Sequence, residues 1–278
     1  MATHTFADKA RRLERVRQAL KRRFGEQAKP TVTHPTEYAI RIILCEEATP
    51  EQAEKALERL RKGFVDWNDL RVSRLREIRD VLGPDFPRAS YKARVIPRLL
   101  DQVFKDHNSM VWDFLETMGK VEARAYFEKL EDVRPFVAAT MARDCAEAHT
   151  FPVDNDISRT LGRVGVVQPG KETEAALQAF LERAVKSTRA LEVHQLLKRL
   201  AQEFCGAEDR LCIRCVLRNM CPSVDLTRRP SKTAKAGKGK GVKVQGSGRT
   251  KEKSGRRGAA RKAAARPPAK KAAKRRKA

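Results

Sequence analysis

The chain has 278 residues, with 60 Lys and Arg against 35 Asp and Glu, a formal net charge of +25. At 41% hydrophobic and 6% aromatic residues it is neither collagen-like, nor a small disulfide scaffold, nor disordered throughout. No apolar run approaches the roughly 18–20 residues a spanning helix needs, so no integral membrane protein is expected. The start has no apolar h-region and does not read as a secretory signal; its Arg-rich amphipathic character suggests a transit peptide, against which Asp8 and Glu14 count.

The first element is a helix over 8–24, with Leu13, Val16, Leu20 and Phe24 on one face and a basic outer side. Thr49-Pro50-Glu51-Gln52 is a helix start, with Thr49 as cap and Gln52 placed to reach back; Gly63 closes that helix. Another helix begins near Ser73 and stops at Gly83-Pro84. Helical spacing recurs near 90–105, 109–118 (Val111, Trp112, Leu115, Met118), 135–148, 156–166, 172–186 and 189–203. No stretch alternates with period two, so the fold class is all-α, without internal repeats. Trp67, in Asp66-Trp67-Asn68-Asp69-Leu70-Arg71-Val72-Ser73, packs under the next helix in this reading.

Charge is unevenly placed. From Leu226 to Ala278 there are 21 Lys and Arg and one acidic residue, Glu252, a net of +20. The other 225 residues carry 39 basic and 34 acidic groups, a net of +5. The segment 226–278 has too little apolar surface to offset chain entropy, so a disordered Lys/Arg/Ala-rich tail is expected. Lys270, Lys271, Lys274, Arg275, Arg276 and Lys277 would bind duplex DNA through phosphates, releasing counterions and reading no sequence. RNA binding or a localisation signal is the competing reading. The tail has no apolar anchor for a membrane surface.

The sharpest motif is Cys205, Cys212, Cys215 and Cys221, spaced C-x6-C-x2-C-x5-C. Four thiolates within 17 residues can converge on one centre, and thiolates suit a four-iron cluster or zinc. Two disulfides are disfavoured for a chain without a secretory signal. Cys45 and Cys145 read as buried structural thiols on helix faces.

This spacing at the end of an all-helical body resembles the cluster loop of the endonuclease III branch of the helix-hairpin-helix DNA glycosylases. Phe151-Pro-Val-Asp-Asn-Asp-Ile-Ser-Arg-Thr-Leu-Gly-Arg-Val-Gly165 resembles the segment in which V-D-T-H-V leads into R-x-x-x-R-x-G, and Asp154 falls on the family's catalytic aspartate. Ile43-Leu-Cys-Glu-Glu-Ala-Thr49 resembles the L-L-S-x-Q-A-T entry to its second helix. The resemblance spans about 36–225. It implies a two-lobed fold: a six-helix lobe at 36–151 with a degenerate helix-hairpin-helix, and a cluster lobe formed by the N-terminal helix within 1–35 and by 152–225. It also implies a structural [4Fe–4S] cluster on the four cysteines, in preference to zinc, with Arg210, Arg214 and Arg218 facing DNA phosphates.

Departures from the family pattern narrow the chemistry. The hairpin L-P-G-V-G-x-K-T-A reads Leu130-Glu-Asp-Val-Arg-Pro-Phe-Val-Ala138, so its glycines become Asp132 and Arg134. Asp132 would repel a phosphate, and Arg134 would replace lost backbone contacts through its side chain. The lysine nucleophile of bifunctional members maps to Phe136, which has no amine, so AP-lyase activity is not expected there. The intercalating glutamine position reads Glu47, and the histidine after the aspartate reads Asp156. A monofunctional DNA N-glycosylase needs only the carboxylate, with Glu47 and Phe136 lining the pocket for a flipped base. Asp154 is also a natural helix cap. The implied function is base-excision repair on double-stranded DNA by a monomer, cytoplasmic and nucleoid-associated, or nuclear in a eukaryote, with no small-molecule cofactor beyond the cluster. The alternative is a non-catalytic, damage-sensing or architectural DNA-binding protein.

Overall fold

The computed structural model describes residues 5–227; the tail contacts expected at Lys270, Lys271, Lys274, Arg275, Arg276 and Lys277 lie outside the described residues. Twelve α-helices and one 3-10 turn occur among the described residues, with no strand. None of these helices is long and apolar enough to cross a membrane.

The helices bury their apolar faces in two cores. The first gathers α2 (Pro35–Cys45), α3 (Pro50–Gly63), α4 (Trp67–Val72), α5 (Leu75–Leu82), α6 (Ala89–His107), α8 (Lys120–Glu128) and α9 (Pro135–Ala146) around Ile40, Leu57, Ile96, Leu99 and Phe127. The second gathers α1 (Phe6–Phe24), α10 (Asn155–Arg163), α11 (Glu174–Ala184) and α12 (Ser187–Glu203) around Val16, Leu20, Ile157, Leu161, Leu196 and Leu200. Each of those side chains removes enough apolar area from water to contribute roughly 1.5–3 kcal/mol. α1 belongs to the second core although nearly 130 residues separate it from α10, because its apolar stripe packs on α12.

Local chemistry sets the helix ends. Thr5 and Asp8 form a capping box on α1, and Thr49 and Gln52 form one on α3. Two expectations need correction. The helix placed at Ser73 is two helices: Asp66 caps α4, and the Ser73 hydroxyl donates to the Asp69 carbonyl at 2.8 Å where α4 ends. The helix expected over 109–118 shrinks to α7 (Phe114–Thr117). There the Thr36 hydroxyl donates to the Met110 carbonyl at 2.6 Å and the Val111 N–H donates to the Ser109 hydroxyl at 3.0 Å. Those bonds occupy groups a helix would use, and Val111 is left exposed.

Candidate functional site

The expected catalytic carboxylate caps α10. The Ile157 N–H donates to Asp154 Oδ1 at 2.9 Å, and Lys198 Nζ on α12 donates to Asp154 Oδ2 at 2.5 Å. Lys198 also reaches Asp156 Oδ2 at 2.8 Å, and Asp156 receives Arg159 at 2.6 Å. Burial works against the charge on Lys198, but Asp154 and Asp156 outweigh it and hold the ammonium above its ordinary range. Burial likewise opposes the charge on Asp156, and Lys198 with Arg159 overcomes it, drawing that carboxyl below the usual range. Asp154 and Lys198 are each about one-fifth exposed, so the pair is reachable from solvent.

Phe136 sits half-buried at the start of α9, against the first core. Its ring lies 6.3 Å from that of His194, one helical turn before Lys198. His194 also meets Phe151 edge-on at 5.8 Å. The seam between the cores therefore brings together Phe136 from one side and Asp154, His194 and Lys198 from the other. Cys45, at the end of α2, also feels the charge of Lys198. His194 is buried with Nε2 unpartnered, and burial, with Arg143 and Lys198 nearby, pushes its pKa well below the usual range.

The hairpin keeps its turn without glycine. Asp132 adopts φ 60°, the left-handed conformation that Asp tolerates better than most residues, while Arg134 at φ −67° has no need of glycine. Arg98 on α6 pairs with the Asp132 carboxylate, and Gln102 accepts from the Glu131 N–H at 3.0 Å. The charge at Asp132 is thus balanced from within. Arg134, expected to meet phosphate, instead pairs with Glu46 at 3.2 Å and approaches Glu47 at 3.9 Å and Glu174 at 3.7 Å, the last from the other lobe. Glu47 is left-handed at φ 55° and paired with Arg88 at 3.1 Å. Its neighbour Glu46 is the buried one, and burial raises its pKa against the pull of Arg134. Lys92, fully buried, holds the end of α2 by donating to the Leu44 and Glu46 carbonyls at 2.9 and 2.7 Å; burial lowers its pKa to about 8.

The four motif cysteines line one cavity of about 380 Å³, with Arg163, Leu200, Phe204 and Leu217 among its other walls. Among the described residues no group of three or more His, Cys, Asp or Glu is arranged as a single-ion site. The donor set still suits a thiolate-held group. The Leu217 N–H points to Cys215 Sγ at 3.4 Å, and burial together with the other three sulfurs pushes the Cys215 thiol up to about 11. A cation there would offset that repulsion. Arg210 lines this cavity with a buried Nε, whereas Arg214 is exposed and Arg218 is exposed with one N–H on the Ile213 carbonyl at 3.1 Å. Cys45 and Cys145 are free and half-buried.

The R-x-x-x-R-x-G motif acquires a physical reason. Arg159 donates to the Cys205 carbonyl at 3.3 Å; Arg163 donates to the carbonyls of Cys205, Gly206 and Ala207 at 3.2, 2.6 and 2.9 Å. Gly165 has φ 71°, and a Cβ there would lie 2.8 Å from Pro222. Arg12 of α1 donates to the Val164 carbonyl at 2.9 Å and to the Met220 carbonyl, tying both ends of the chain's second lobe to the cysteine loop. Lys198, His194 and Glu46 were not legible as site residues; the only hint was a lysine inside the apolar spacing of α12.

No family model matches this chain, and no curated protein matches it in sequence. Solved structures do match in shape. An endonuclease III trapped as a covalent intermediate with DNA is similar over 80% of this chain and 97% of its own, with a TM-score of 0.64 and 17% identity. A thermostable thymine-DNA glycosylase is similar over 78% and 97%, with a TM-score of 0.59 and 14% identity. The H. pylori 3-methyladenine DNA glycosylase bound to 1,N6-ethenoadenine is similar over 70% and 97%, with a TM-score of 0.52 and 12% identity. The protein has the all-α fold of the helix-hairpin-helix DNA glycosylases. Within that fold, the resemblance of its sequence is to the endonuclease III branch.

Proposed function

We propose that this protein is a base-excision-repair protein that binds double-stranded DNA as a monomer and releases a damaged or modified base through Asp154. The observation that carries this reading is the position of Asp154, a partly exposed carboxylate at the seam of a glycosylase fold, opposite Phe136. Cleaving an N-glycosidic bond develops positive charge on the deoxyribose. A carboxylate beside C1′ stabilises that charge and orients the attacking water. Oδ1 is fixed by the Ile157 N–H, so Oδ2 is the oxygen that turns to the sugar, and Lys198 has to give it up. Phe136 supplies an apolar wall for the flipped base and no amine.

Cys205, Cys212, Cys215 and Cys221 would hold a [4Fe–4S] cluster, supported by their spacing and their shared cavity. Bound there, the cluster would pin the loop by coordination rather than take part in bond cleavage. Arg214 and Arg218, exposed on that loop, are the side chains we assign to phosphates. The basic tail would add sequence-blind affinity; with about 10 phosphates engaged, log affinity would fall with log salt at a slope near −9. The protein would work where chromosomal DNA lies, on the nucleoid or in a nucleus.

One observation favours a second reading, a non-catalytic damage sensor: both oxygens of Asp154 are engaged, and Arg134 is occupied by carboxylates. Duplexes carrying alkylated, oxidised, deaminated or mismatched bases, treated with protein and then alkali, decide between the two. Release from any of them that disappears in Asp154→Asn supports the enzyme; tight binding with no release on all of them supports the sensor.

A further inference from the structure

The chain lacks an amine where Phe136 stands, yet it brings one to the same acid from another helix. Lys198 Nζ lies 2.5 Å from Asp154 Oδ2. Any sugar carbon that Asp154 serves is therefore within reach of a primary amine on a flexible stem. Around it on α12, Leu196, Leu197, Leu200 and Ala201 are buried, so Lys198 interrupts an apolar face and is turned inward by two carboxylates.

We propose that Lys198 gives the protein a second activity, covalent capture of an abasic deoxyribose, its amine condensing with the C1′ aldehyde that remains once a base is gone. This rests on the reading that DNA seats its sugar at Asp154. The step balances without any oxidant or reductant. The ammonium passes a proton to Asp154, the free amine bonds to C1′, and the proton returns to the resulting hydroxyl, which leaves as water. The product is an iminium. Asp154 then takes a proton from C2′, the C3′–O bond breaks, and its electron pair leaves with the 3′ phosphate. Water hydrolyses the iminium and frees the lysine.

The charged groups facing Lys198 set its pH dependence. From α10 these are Asp154 and Asp156, the latter shared with Arg159; from the end of α2 there is Cys45, and one turn back on α12 there is His194. The two carboxylates hold the amine charged at rest. Capture is therefore slow at neutral pH and rises about tenfold per pH unit until the amine is free.

The test uses the full-length protein and a duplex carrying a pre-formed abasic site, with borohydride to reduce the iminium. The expected result is one covalent adduct, mapped by digestion and mass spectrometry to the peptide carrying Lys198 and more abundant at alkaline pH. Lys198→Arg keeps the ion pair and should melt like the parent, yet lose the adduct at least tenfold, an outcome that a merely structural lysine would not give. The proposal is overturned by an adduct on other lysines that persists in Lys198→Arg, or by no adduct at any pH. Because the site is pre-formed, that failure leaves base release by Asp154 standing. Duplex binding measured alongside shows whether the DNA reading falls with it.

Discussion

Lys198 ties α12 to the first turn of α10 by donating to Asp154 at 2.5 Å and to Asp156 at 2.8 Å. Both carboxylates sit on the cap of one helix, and a single ammonium keeps them compatible. Lys198→Met leaves them facing each other without a cation. We expect a loss of about 1–2 kcal/mol, short of the cost of breaking a fully buried pair because the groups are partly exposed. Thermal melting measures it. The sign with pH follows from Asp156: its folded pKa is depressed, so its contribution is present above the ordinary carboxylate range and disappears as pH falls through the folded value.

Gly165 is the narrowest point of contact between α10 and the cysteine loop. Gly165→Ala adds both left-handed strain and a 2.8 Å clash with Pro222. A destabilisation of about 1–3 kcal/mol is expected. An unchanged melting temperature would mean that the loop does not dock as described.

Arg163 holds the first arm of that loop through three carbonyls. Arg163→Ala should free the Cys205–Ala207 segment. In iron-reconstituted protein the visible absorbance of the cluster should fall markedly, while Arg163→Lys, a single point charge in place of a fork, recovers only part. Equal metal loading in all three proteins would contradict the role given to Arg163.

His194 is neutral and buried, and its folded pKa lies well below the ordinary histidine value of 6.5. The unfolded chain binds a proton that the folded chain refuses. This contribution is whole above the unfolded value and is lost as pH falls below it, at about 1.4 kcal/mol per pH unit while the mismatch lasts. His194→Phe should flatten the stability profile on the acid side in denaturant titrations at stepped pH. A profile as steep as the parent's would assign the acid sensitivity elsewhere.

The helical class was legible because Leu13, Val16 and Leu20, like Ala53, Leu57 and Leu60, recur at helical spacing, and because Thr49 and Gln52 announce a cap. The stretch 109–118 misleads for the same reason. Its spacing is helical, but the Thr36 hydroxyl, 74 residues before Met110, takes the backbone, and no local pattern records that. The motif cysteines and Asp154 are visible as spacing. Lys198 is not, since its partners lie 44 and 42 residues away and its own helix looks merely amphipathic. Arg134 is legible as a residue but not as a contact: three glutamates from two lobes surround it only once the chain is folded.

The central claim is that Asp154 is the group that releases the base. Asparagine caps a helix about as well as aspartate, so Asp154→Asn keeps α10 while removing the charge. Single-turnover base release on the duplex the parent acts on best is the direct measurement. The account predicts a fall of about 10²–10⁴-fold in Asp154→Asn, with duplex binding retained. Release at the parental rate in that variant would contradict it.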